Sequence, residues 1–153
     1  MFFLLANMLV LGGIEELGWR GFLQPRLQER TSVLTAGLLI GVLWWVWHLP
    51  LFFGHQNFSL EPLFVLQYTT FVIGASTVFG AFVNATGGRV LPLMLIHATT
   101  NLGALLQGFG GVLDGTALVP LVAGSGLWWL IVISLVGLFG WSMVPQSEHG
   151  LSS

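Results

Sequence analysis

The sequence predicts an all-α integral membrane protein, a bundle of about five transmembrane helices of roughly 20 residues each. Three observations predict it. Only 7% of the 153 residues are charged, against about 25% in a soluble domain. The mean hydropathy is +0.89. The apolar residues fall in long runs broken by short polar stretches, and 21 glycines suit helices that approach closely in lipid.

Composition also removes function classes. There is no lysine, and six acidic residues outnumber four arginines, so no basic patch exists for nucleic acid. Cysteine is absent, which excludes disulfides, thiolate metal ligands and thiol nucleophiles. No fixed-period repeat or linker divides the chain, which reads as one membrane domain over 1–153 with a polar tail over 145–153.

Met1 to about Leu17 is the first apolar segment, a retained helix with neither the basic start nor the cleavage site of a signal peptide. Gln24 to Ser32 is the most polar stretch, where Pro25 predicts the start of a short interfacial helix. Val33 to Phe53 is the second segment, in which Gly37 and Gly41 form a small-xxx-small pair for close packing. The third runs from about Leu63 to Val83 and ends in a turn with Gly87-Gly88. The fourth covers Val90 to about Leu106, and the fifth Ala117 to Val144. Arg20, Arg26 and Arg30 follow the first segment and Arg89 follows the third. With alternating spans all four share one side, which the positive-inside rule assigns to the cytoplasm. The C-terminus then returns to the cytoplasm of a multi-pass chain.

Ionisable groups inside spans are costly, and they point to function when a partner can be named. Three places qualify. Glu15-Glu16 arrives at the end of an uncharged run, with Glu16 four residues before Arg20 and able to pair with it on one helical face. Glu15 stands about 140° from Arg20 at about 100° per residue, which leaves its carboxylate for another task, that of a general base. His48 lies where Pro50 is about to break the second helix. His97 and Asn101 share one face of the fourth and could grip one water, metal ion or carbonyl oxygen. Taken singly, each has a plain structural role as interfacial charge or interhelical hydrogen bond. Trp44, Trp45 and Trp47 read as interfacial belt residues, with Trp44 one turn before His48 and able to pack over its ring.

Glu15-Glu16-x3-Arg20, then Trp44-x3-His48, then His97-x3-Asn101, in order and on separate spans, resembles the CPBP family of intramembrane proteases, also called the Abi or CaaX prenyl protease family. Trp19-Arg20-Gly21-Phe22-Leu23-Gln24 and Trp47-His48-Leu49-Pro50-Leu51-Phe52 are similar to its bacterial members, and the resemblance covers about 11–107. It implies a polar cavity open to the cytoplasm, Glu15, His48, His97 and Asn101 as catalytic residues, and Glu16 and Arg20 in a structural role. Trp44 stands where the family usually has Phe. Related proteins usually carry further helices before the first motif, so the expected partners include such helices or self-association, besides lipids and a peptide or membrane-protein substrate. The implied home is the bacterial cell membrane.

The expected chemistry is hydrolysis of a peptide bond. Glu15 activates a water that His48 helps to hold, while His97 and Asn101 stabilise the oxyanion. A divalent metal such as zinc, if one is used, would take Glu15, His48 and His97, although no HExxH is present. The substrate stays open between a prenylated CaaX tail, a peptide pheromone and a juxtamembrane segment, with the CaaX tail the least expected for a bacterial-looking chain. The rival of another class is a non-catalytic scaffold or bacteriocin self-immunity protein of the same fold. A proton or ion relay ranks lower. So does a rhomboid-like protease, for which Gly74-Ala75-Ser76-Thr77-Val78-Phe79-Gly80 would supply the nucleophile and His97 the base. Rhomboids have Gly where Thr77 stands, and that reading leaves Glu15, Glu16, Arg20 and His48 unused.

Overall fold

The computed structural model describes residues 6, 12–54, 58–111 and 118–144, with side chains described outside 102–124. The described residues are mostly helical and contain no strand. Most of the expected first span, 1–17, lies outside them, as does the tail. The helices are α1 (Leu17–Leu23), α2 (Gln24–Gln28), α3 (Val33–His48), α4 (Leu51–Gly54), α5 (Pro62–Ala85), α6 (Val90–Gly111) and α7 (Leu118–Phe139). Among the described residues three stretches are long and apolar enough to cross a bilayer: Val33–Gly54, Pro62–Ala85 and Ser125–Ser142.

Local chemistry sets the ends. Ser32 caps α3 by accepting from the Thr35 backbone N–H at 3.1 Å. After α5 the chain closes through Gly87 and Gly88, with φ of +68° and +83°, and the Gly88 N–H donates to the Val83 carbonyl at 2.8 Å. Only glycine takes such angles freely, and this ending satisfies carbonyls that the helix leaves open.

The centre of the bundle is the α3–α5 crossing. A β-carbon on Gly37 would come within 2.8 Å of the Thr77 α-carbon, and one on Gly41 within 2.8 Å of the Ile73 α-carbon. The small-xxx-small pair thus lets two backbones touch, with the helices antiparallel. On its other side α5 holds α7. Gly74 lies against Trp128 and Trp129, and the Trp129 Nε1–H donates to the Thr70 carbonyl at 2.9 Å. Outward-facing Leu39, Val42, Leu43, Val46, Leu130 and Ile133 are exposed, as a surface meeting acyl chains should be.

α1 and α2 run parallel to the second half of α5 along a polar seam. The Arg20 Nη2–H donates to the Ser76 carbonyl and hydroxyl at 2.9 and 3.0 Å. Gln24 Nε2–H donates to the Gly80 carbonyl and Asn84 Oδ1 at 3.0 and 3.1 Å. Asn84 Nδ2–H donates to Gln28 Oε1 at 3.0 Å. The rows 20, 24, 28 and 76, 80, 84 each advance one helical turn per step, so they mesh. α2 is the short helix expected around Pro25, joined here to the motif helix. It begins at Gln24, continues α1 directly, and buries Gln24 against α5. Met143 packs with Val33 and Leu34, which brings the end of α7 to the same end of the bundle as Gln28 and Asn84.

Candidate active site

The motif begins in a turn. The Glu15 and Glu16 N–H groups donate to the carbonyls of Gly12 and Gly13 at 3.0 and 3.2 Å. From Leu17 the helix winds in the wider π form to Leu23, a form that recurs at functional sites. The α-helical phase expected for Glu15 and Arg20 is thus replaced, yet the two carboxylates still part company.

Glu16 is wholly buried and turns inward. Its Oε1 accepts from Nδ1–H of His97 at 2.8 Å, and its Oε2 stands 3.6 Å from Nε of Arg20. The expected Glu16–Arg20 pair exists, but the short bond of Glu16 is to His97 on α6. Arg20 spends its hydrogen bonds on Ser76, and its guanidinium lies 5.7 Å from the Trp44 ring and 5.8 Å from the Phe79 ring. A carboxylate behind Nδ1–H fixes the His97 tautomer, leaves Nε2 as the other ring nitrogen for chemistry and stabilises an imidazolium should one form.

Glu15 is half-buried and turns the other way. Its Oε2 accepts from Nε1–H of Trp44 at 2.8 Å. The Trp44 ring also meets His97 edge-on at 5.1 Å and His48 at 5.6 Å between centroids. One indole thus touches groups from three separate stretches of chain. The Nδ1 of His48 lies 2.7 Å from the Trp44 carbonyl. A carbonyl only accepts, so Nδ1 carries the proton and Nε2 is left with a lone pair or a second proton. Tyr68 closes the far side of His48 at 5.8 Å. Asn101, half-buried, sits one turn beyond His97.

An open cleft of about 400 Å³ runs beside Glu15, walled by Ile14, Gly18, Trp19, Phe22, Leu23 and Trp47. Its wall is apolar apart from Glu15. Glu16, Arg20, His48, His97 and Asn101 do not line it.

The metal reading finds no such convergence. The hydrogen bonds of Glu15, His48 and His97 to Trp44 and Glu16 engage Oε2 and the two Nδ1 atoms, and do not themselves occupy Oε1 or either Nε2. Among the described residues no three His, Asp or Glu side chains stand together closely enough to hold an ion. Ser76, the rhomboid-type nucleophile, is fully buried and donates its hydroxyl hydrogen to the Gly37 carbonyl at 2.9 Å, in the α3–α5 seam.

The sequence model of one family, described as a type II CAAX prenyl endopeptidase, Rce1-like, matches residues 1–103. The chain belongs to the Rce1-like family. Among curated proteins it is similar to CAAX prenyl protease 2 of Methanococcus maripaludis, 41% identical over 54 residues, which are 35% of this chain and 20% of that protein. It is also similar to a protein of Enterobacter sp. named "Putative multidrug resistance protein MdtD", 32% identical over 118 residues, 74% of this chain and 23% of that protein. The chain thus spans less than a quarter of the length of either relative. No solved structure matches it.

This Rce1-like chain uses residues that its motifs do not include. Gln24 and Asn84 hold the motif helix in register with α5, and the four-residue spacing of Arg20, Gln24 and Gln28 was the signal that could have shown it. Tyr68 packs on His48, and no pattern in the sequence marks that contact.

Proposed function

We propose that this chain carries the catalytic core of an intramembrane endopeptidase of the CAAX type, acting on an apolar-tailed peptide. The observation that supports it best is the convergence on Trp44, whose N–H holds Glu15 at 2.8 Å while its ring contacts both His48 and His97. With Oε2 engaged, Oε1 of Glu15 serves as the base. It takes a proton from a water that the His48 Nε2 lone pair also holds. The water oxygen attacks the carbonyl carbon, and the negative oxygen that results is met by the Asn101 amide and by Nε2–H of His97 in its imidazolium form, whose Nδ1–H stays on Glu16. Glu15 then returns its proton to the leaving nitrogen as the C–N bond breaks. The apolar cleft beside Glu15 suits a greasy substrate segment, and the family description favours a prenylated CAAX tail over the other substrates considered.

The test is cleavage of matched peptides, prenylated and unmodified, by the purified protein in lipid, with Glu15→Gln alongside. Cleavage by the wild type and none by Glu15→Gln is expected, with the prenylated series preferred. Equal cleavage by Glu15→Gln would overturn the assignment of the base. A folded wild type that cleaves nothing would hand the site to the scaffold or self-immunity reading.

A further inference from the structure

The turn before the motif contains a residue that the endopeptidase reading does not use. Gly12 is buried, with φ of +134°, a conformation that L side chains rarely adopt. Its open side faces α6. A β-carbon there would collide with Nδ2 of Asn101 and lie 3.0 Å from Nε2 and 3.3 Å from Cε1 of His97. One backbone position therefore abuts both candidate groups of α6 at once. The Gly12 carbonyl also accepts from the Glu15 N–H at 3.0 Å. The same residue is thus tied to the carboxylate pair on one side and packed on the imidazole and carboxamide on the other.

We propose that Gly12 is a positioning residue of the site: its bare α-carbon is the seat on which α6 rests His97 and Asn101 beside the Glu15–Glu16 turn. The Asn101 amide is the main obstacle to a methyl group, and the His97 ring, held by Glu16 and only 3.0 Å away, leaves little room for the amide and the methyl to share. α6 would move away from the turn, and the 2.8 Å bond from His97 Nδ1–H to Glu16 would lengthen. A filler of space would affect only stability. A positioning residue also alters the proton shared by His97 and Glu16.

That proton provides a readout independent of proteolysis. In lipid bicelles, with ¹⁵N-histidine labelling and assignment by its loss in His97→Gln, the Nδ1 proton should resonate far downfield, as protons held by a carboxylate do. Gly12→Ala should abolish that signal. Gly88→Ala, at φ of +83° with open space around it, should retain it, which shows that an alanine at a left-handed glycine elsewhere does not remove the signal. Gly12→Ala with Asn101→Ala removes the amide that the methyl strikes. It should recover the signal even if Gly12→Ala alone does not fold. A wild-type signal in Gly12→Ala would overturn the proposal. So would a double variant that lacks the signal when Asn101→Ala alone shows it. The catalytic consequence rests on the endopeptidase reading: kcat in Gly12→Ala should fall about 10²-fold, with KM within about threefold. If the wild type cleaves nothing, that reading fails and the resonance still decides the role of Gly12.

Discussion

Replacing Arg20 by alanine tests how the two adjacent carboxylates divide their work. Arg20 is 1% exposed and Glu16 0%. Arg20→Ala removes two charge-assisted hydrogen bonds to Ser76, at 2.9 and 3.0 Å, and the cation 3.6 Å from Glu16 Oε2. Breaking a buried pair on one side costs about 3–5 kcal/mol, because the remaining charge is left uncompensated. Here His97 still donates to the other oxygen of Glu16, so the loss should sit near the lower end, about 3 kcal/mol. Glu15→Gln provides the contrast. A glutamine carbonyl still accepts from Trp44, so its loss should stay below about 1 kcal/mol. The assay is equilibrium unfolding in mixed micelles. Adding Glu16→Gln to Arg20→Ala removes the stranded charge and should recover at least about 1 kcal/mol. An Arg20→Ala protein within about 0.5 kcal/mol of wild type would refute the reasoning. So would a double variant no more stable than the single, since the cost would then not arise from the stranded Glu16.

Three further outcomes are expected. Ser76→Ala should retain proteolysis within a few-fold and lower stability by about 1 kcal/mol, because Arg20 keeps the Ser76 carbonyl as acceptor; abolished cleavage in a folded Ser76→Ala protein would instead point to a serine nucleophile. Dialysis against a strong chelator should leave cleavage intact, since among the described residues no three His, Asp or Glu side chains converge; loss of activity that zinc alone restores would show that they regroup around a metal. Cysteines at Glu29 and Ala85 should be labelled from one face of the membrane and one at Glu61 from the other. α5 spans 24 residues, about 36 Å at 1.5 Å per residue and enough to cross the hydrocarbon core. Labelling of Glu61 and Ala85 positions from the same face would disprove the crossing.

What the sequence by itself determined is what neighbours along the chain decide. Lipid leaves the backbone no water to bond, so long uncharged runs must be helical, and α5 and α7 appear close to where the runs lie. The Glu16–Arg20 proximity and the α3 packing face at Gly37 and Gly41 follow from spacing within one helix. Other contacts needed the tertiary structure, because they depend on how far one helix slides and turns against another. Glu16 takes its short bond from His97, 81 positions away, and no local period connects the two. Trp44, which read as a belt residue or a lid on His48, points its N–H at Glu15 because the Gly37/Gly41 seam sets the depth and rotation of α3. Pro25 signalled a helix start correctly, but not that Gln24 would be drawn inward by the Gly80 carbonyl. Gly12 looked like one glycine among many until α6 was laid against it. In this bundle the chain's own periodicities specify which faces are polar, and helix register alone decides which polar groups meet.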